Sequence, residues 1–101
     1  MTTLKLTLSK KPYEVMITGE KTEEYRRKSK WIESRLFDKK GNLRHYDFVQ
    51  FTNGYGKDSP RFLCQYKGFS LIENIHETFS NGLTVSISEP TYVIHLGNIV
   101  Q

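Results

Sequence analysis

Alternation is the feature that most limits what this chain can become. Leu4, Leu6 and Leu8 are separated by Lys5 and Thr7, a period of two that puts apolar side chains on one face of a strand and polar ones on the other. The same rhythm returns in Arg61-Phe62-Leu63-Cys64-Gln65-Tyr66, and further strands are expected from Phe48 through Phe51, from Phe62 to Ile72, from Leu83 to Ile87 and from Tyr92 to Leu96. Helical spacing is confined to short stretches. Residues 10–18 follow Ser9 as N-cap, carry Pro12 within the first turn and end before Gly19. Trp31, Ile32, Arg35 and Leu36 share a helix face, Asp38 to Asn42 reads as an exposed turn, and Asn74 to Phe79 as a short helical turn. Several strands and one or two short helices in 101 residues predict an α+β chain. The expected architecture is a small barrel or strongly curled sheet of about five or six strands, which limits exposed edges.

A chain of this length is read as one domain, 1–101, burying roughly two-thirds of its unfolded surface. Its single cysteine, Cys64, has no internal disulfide partner and sits where a small buried side chain fits. A reducing cytoplasm is expected. No apolar run approaches the roughly 20 residues needed to span a bilayer, and the N-terminus lacks a continuous apolar segment of the signal-peptide kind.

Charge is distributed unevenly. All 15 lysines and arginines lie at or before Lys67, so residues 1–67, with 8 acidic residues, carry +7, whereas residues 68–101 carry 3 acidic residues and no basic ones, or −3. The densest basic stretch runs from Lys21 through Arg26, Arg27, Lys28, Lys30, Arg35, Lys39 and Lys40 to Arg44, interleaved with Tyr25, Trp31, Phe37 and Tyr46. Basic side chains neutralise phosphates, and exposed aromatic rings stack on unpaired bases for about 1–3 kcal/mol each. Single-stranded nucleic acid is the partner this mixture suits, although a basic run also serves simply as a solvated face.

Gly19, Lys21, Glu24 and Arg26 follow the apparent end of the first helix. Strand alternation puts Glu24 and Arg26 on one face and Tyr25 on the other, with Lys21 at the turn and Thr22 beside it. An arginine grips a phosphate or base edge bidentately, a carboxylate accepts amino hydrogens, and a lysine adds a mobile positive charge. The alternative for the same residues is a local ion-pair network over the strand, contributing about 0–1 kcal/mol per exposed pair. The spacing G-x-K-x-x-E-x-R resembles the signature of the ASCH domains, a branch of the PUA-like superfamily of small β-barrels. Lys11-Pro12-Tyr13 with Val15, Met16 and Ile17 resembles the helix before that signature, and Tyr46 to Gly56 the central strand and its glycine-containing loop. The likeness covers about the first half of the chain; the last third agrees only in being rich in strands. It implies a PUA-like barrel that binds RNA or a modified nucleoside.

Asn53-Gly54-Tyr55-Gly56-Lys57 is a second candidate, with glycines for close backbone approach, a tyrosine for stacking and a lysine for phosphate. Asn-Gly is equally a turn signal, and the segment is no Walker loop, because Phe51 and Asp58 stand where a glycine and a Ser or Thr are required. His45, His76 and His95 lack metal-ligand spacing, so no metal and no cofactor are expected. His95, between Ile94 and Leu96, reads as structural; His45, beside Tyr46 and Asp47, is the better candidate acid or base.

Within the ASCH resemblance, small amidohydrolases of modified cytidine place a nucleophilic threonine three residues after the lysine. That position here is Glu24, which cannot form the same acyl ester but can activate water with help from Lys21. The resemblance also implies a distant supporting glutamate, for which Glu73, Glu77 and Glu89 are available. A metal-independent ribonuclease would use Glu24 or His45 as base and Lys21 or Arg26 as the stabilising cation. A small protein that binds and inhibits a protein partner, of the kind phages carry, is a further alternative. The leading expectation is a nucleic-acid or nucleoside pocket built from Lys21, Thr22, Glu24, Arg26, Asn53, Gly54, Tyr55 and Lys57, with Arg27, Lys28 and Lys30 on its basic approach.

Overall fold

The computed structural model describes residues 2–100, which run β1 (Thr3–Leu8), α1 (Lys10–Ile17), β2 (Glu23–Arg27), α2 (Lys30–Leu36), β3 (Phe48–Asn53), β4 (Arg61–Ile72), β5 (Ile75–Thr78), β6 (Thr84–Ile87) and β7 (Thr91–Ile99). Five strands form one sheet in the order β1-β3-β4-β7-β2, in which only the β1–β3 pair is parallel. The outermost strands are therefore β1 and β2, which α1 connects. They also meet in space, because Arg26 Nη2 on β2 donates to the carbonyl of Thr7 on β1 at 2.9 Å. A sheet whose edges touch must curl, and this one forms a half-barrel.

Alternation decides what fills the curl. Leu4, Leu6 and Leu8 of β1 meet Val49 and Phe51 of β3, Phe62 and Cys64 of β4, and Tyr92 and Ile94 of β7 in one buried cluster, joined by Met16, Ile32 and Leu36 from the helices. Cys64 has the small-residue role expected of it: its Sγ lies 3.8 Å from the Val49 carbonyl, and burial pushes its thiol up to about 11. α1 begins at Ser9 as expected, although the Ser9 side chain makes no capping bond, and it ends through Gly19, whose φ of +86° suits the residue after a helix. In α2 the Ser29 hydroxyl accepts the Ile32 N–H, while Ile32 and Leu36, one turn apart, point inward. Trp31 of α2 stays 48% exposed, its ring 5.1 Å from the Arg35 guanidinium. Among the described residues no helix is long and apolar enough to cross a membrane.

Two departures from the sequence reading shape the outer surface. Asn74 to Phe79 is not a helical turn. Asn74 takes a left-handed φ of 60°, which asparagine tolerates, and Ile75 to Thr78 become a strand paired with β6 in a separate two-stranded sheet. The hairpin is tied to α1 and the turn after it. Ser80 donates to the Glu20 carboxylate from its N–H, at 2.8 Å, and from its hydroxyl, and the Asn81 amide donates to the Lys11 carbonyl at 3.0 Å. The second departure is a bulge in β4. Tyr66 pairs with Leu96 but Phe69 with Ile94, so β4 holds one residue more than β7 between these pairs, and Gly68 takes a φ of +94°. The extra residue inverts the alternation: Phe69 packs against the core and Ser70 faces out.

Candidate functional site

Strand β2 is the exception to the apolar interior. Pairing sets Glu24 opposite Ile94 and Arg26 opposite Tyr92, both core residues, so the inward positions of this edge strand are a carboxylate and a guanidinium. Inward-pointing charge on an edge strand discourages pairing with other chains, which gives these residues a structural use of their own. It is costly unless every charge is matched.

Here the matching is complete. Glu24 is 6% exposed; one of its oxygens accepts from Lys21 Nζ at 3.3 Å, and the other accepts Arg26 Nε at 2.8 Å and lies 2.7 Å from Nη2. Lys21, only 4% exposed, also donates to the Glu23 carbonyl and lies 4.7 Å from the centroid of the Tyr25 ring. Burial lowers the pKa of Lys21, opposed by the charge of Glu24 and its hydrogen bond. Among the described residues no buried side-chain N or O lacks a partner. The cluster is thus a buried ion-pair network rather than the exposed one weighed from sequence.

The network lines a cleft of about 370 Å³ along the free edge of β2. Thr7 and Leu8 of β1, followed by Ser9 and Pro12, form one wall; Val85 and Ile87 of β6 form another. Tyr25 also lines it, so although alternation sends its Cβ to the outer face as expected, its ring serves the same cleft as Glu24 and Arg26. Its hydroxyl donates to Glu23 Oε1 at 3.1 Å, and its pKa is raised by burial first, then by that bond and the charges of Glu23 and Glu77.

Three sets of donors remain for a ligand. The Thr22 carbonyl accepts the Leu96 N–H and the Lys28 N–H donates to the Pro90 carbonyl, so even-numbered peptide groups along β2 face β7. Those of Tyr25 and Arg27 face the open edge, beside the cleft. Arg26 commits Nε and Nη2 to Glu24 and Thr7, which leaves Nη1 with two N–H groups and no protein partner among the described residues. Arg27 adds an exposed guanidinium, loosely paired with Glu89 at 3.4 Å.

The other expected residues lie apart from the lining. Thr22 is exposed. Asn53 ends β3 opposite Leu8, and Gly54 to Lys57 follow it, the Gly54 N–H donating to the Leu8 carbonyl at 3.2 Å; Gly54 takes a φ of +93° and Tyr55 is 94% exposed, the behaviour of a strand-to-strand turn near the rim. Lys28 and Lys30 are exposed beyond β2, Lys30 opening α2. His45 lies in the segment before β3, where its carbonyl accepts from Thr2. Of the three distant glutamates, Glu77 of β5 is the one whose charge reaches both Lys21 and Tyr25. Sequence reasoning missed Thr7, Val85 and Ile87, whose only local signal is a place in an alternating strand.

The fold and cleft define a small α+β half-barrel protein with a buried lysine–glutamate–arginine cluster at the seam between its sheet edges. Compared with known proteins, the chain matches no family model, no curated protein and no solved structure.

Proposed function

We propose that this protein is a PUA-like domain of the ASCH type that binds RNA or a modified nucleoside, with the base held in the cleft at the β1–β2 seam. The carrying observation is the buried Lys21–Glu24–Arg26 cluster opening on that cleft. The volume lies within the range of small-ligand pockets. Its walls are apolar at Leu8, Pro12, Val85 and Ile87, the Tyr25 ring supplies an aromatic surface, and Arg26 Nη1 with the free peptide groups of Tyr25 and Arg27 supplies edge-directed polar groups. Arg27, Lys28 and Lys30 are exposed at and beyond the end of β2 and supply positive charge for a phosphate backbone.

Binding fits this cluster better than turnover through Glu24, because both oxygens of that carboxylate are already engaged by cations. Glu24 then orients Lys21 and Arg26. One feature bears on the amidohydrolase alternative: the negative charge of Glu77, on the hairpin, raises the pKa of Lys21, the direction a supporting carboxylate would give. In that case water would be activated from the hairpin side.

The test is titration of the protein with labelled single-stranded RNA and with N4-acetylcytidine, following binding and product together without added metal. Salt-sensitive binding that weakens by about 2 kcal/mol in Arg26→Gln supports the binding role. Product formation lost in Glu77→Gln moves the assignment to the hydrolase. Neither binding nor product removes both.

A further inference from the structure

The outer face of the sheet carries a second constellation that uses none of the residues that fill the cleft with charge. The Ser70 hydroxyl on β4 lies 2.9 Å from His95 Nε2 on β7, and His95 Nδ1 lies 3.2 Å from Glu23 Oε2 on β2. The other Glu23 oxygen accepts the Tyr25 hydroxyl at 3.1 Å, which fixes the carboxylate from behind. With Nδ1–H donating to Glu23, Nε2 is left as the acceptor for the serine proton. That is the order of a nucleophile, a general base and an orienting acid.

Three strands build this line by register. Glu23 is paired directly with His95, and Ser70 is paired with Val93, one step along the same face from His95. Ser70 joins them only because of the bulge at Gly68. Counting inward positions from Cys64 and Tyr66 without it would turn residue 70 into the core; with it, Phe69 goes in and Ser70 comes out. Bulges often re-aim a side chain next to a reactive site. The constellation is accessible: Ser70 is exposed, and the side chains of His95 and Glu23 are 38% and 36% exposed.

We propose that Ser70, His95 and Glu23 form a nucleophilic serine site on the outer sheet face that accepts an acyl group from small activated esters. Ser70 Oγ bonds to the acyl carbon while its proton passes to His95 Nε2, and the acyl–oxygen bond of the ester breaks to release the alcohol or phenol, which takes that proton. Water then attacks the Ser70 ester as His95 accepts its proton. The acid departs and the proton returns to Ser70 Oγ. The net change is ester plus water to acid plus alcohol.

The experiment treats the full chain with p-nitrophenyl acetate and, separately, with a fluorophosphonate probe, measuring nitrophenol release and mapping the modified residue by peptide mass spectrometry. The expected result is acylation and phosphonylation at Ser70, absent in Ser70→Ala, slowed on the order of 100-fold in His95→Gln, and slowed by a smaller factor in Glu23→Gln. Ser34→Ala, which removes a hydroxyl on α2, leaves labelling unchanged. Ser70→Cys keeps a nucleophile of similar size and retains acylation at position 70, which separates lost chemistry from lost folding. No labelling of a folded wild-type chain, labelling at another residue, or equal rates in wild type and His95→Gln would overturn the proposal and leave the three side chains as a cross-strand hydrogen-bond ladder.

Discussion

Strand β2 has two faces, and they hold charge in opposite ways. On the inner face Glu24 is buried between Lys21 and Arg26, both of its oxygens taken, against a wall of core side chains. On the outer face Glu23, one residue earlier, shares its oxygens between Tyr25 and His95, with about a third of the side chain in water. Burial makes the difference. A buried charge must be fully matched, so the inner network is fixed and its members act as a unit. A half-exposed network can lose a partner to solvent at little cost, which leaves it free to exchange protons.

The sharpest way to break this contrast is to delete the same group from each face. Glu24→Ala leaves Lys21 buried without its anion and is expected to cost about 3–5 kcal/mol in urea unfolding, while Glu23→Ala costs less than about 1 kcal/mol. Equal losses would show that the two faces share one environment. Replacing the inner charges together, as Lys21→Met with Glu24→Leu, should recover most of the loss, because apolar residues of similar volume need no partners there.

The bulge gives the next largest effect. Gly68→Ala forces a side chain onto a φ of +94° and should cost about 1–2 kcal/mol, with the Ser70–His95 contact weakened and the inner network untouched. Chemical-shift changes confined to residues around Ser70 and His95 would bear this out; changes spreading to Glu24 would couple the faces.

Alkaline pH distinguishes the faces more finely. Burial lowers the pKa of Lys21 from 10.5, so in the folded state its charged form is disfavoured and the stability penalty is complete below the folded pKa. As pH rises through the folded value towards 10.5, the unfolded chain binds more protons and unfolding becomes harder. Burial raises the pKa values of Cys64, Tyr25, Tyr66 and Tyr92 and gives the opposite slope, so the Lys21 contribution is read by difference: urea midpoints should fall more steeply with rising pH in Lys21→Met than in the unsubstituted chain. An unchanged slope in that variant would assign the effect elsewhere.

The smallest effect concerns the hairpin that walls the cleft. Hydrogen bonds from Ser80 hold the Glu20 carboxyl below its ordinary 4.5. The stabilisation is present above 4.5 and is lost as pH falls through the lower folded value. Protection of the Ser80 amide relative to its intrinsic exchange rate should fall over that acidic range and in Glu20→Gln, while amides of β4 and β7 stay protected. A uniform loss of protection would mean that the hairpin opens only with the whole sheet.

Much of the fold was legible because its signals are local. Leu4, Leu6 and Leu8 declared β1, Gly19 ended α1, and Ile32 with Leu36 chose the buried side of α2. β5 was not legible. Ile75 and Phe79, four residues apart, match a helical face as well as a strand, and only pairing with β6, after a turn whose Gly82 takes a φ of +86°, makes Ile75 to Thr78 extended. The cleft divides similarly. Alternation aligned Glu24 with Arg26, but no spacing along the chain announces the Thr7 carbonyl or the hairpin wall at Val85 and Ile87.

The amino-acid order by itself determined that the strand after α1 would turn a carboxylate and a guanidinium to one side, because a period of two needs no distant partner. Whether that side would be water or core was decided by the tertiary structure, through the pairing of Glu24 with Ile94 and of Arg26 with Tyr92. The same holds for Ser70, whose side of the sheet depends on one extra residue at Gly68. Faces are written locally, but what a face meets depends on register between strands far apart in the chain, and a one-residue shift in register exchanges inside for outside.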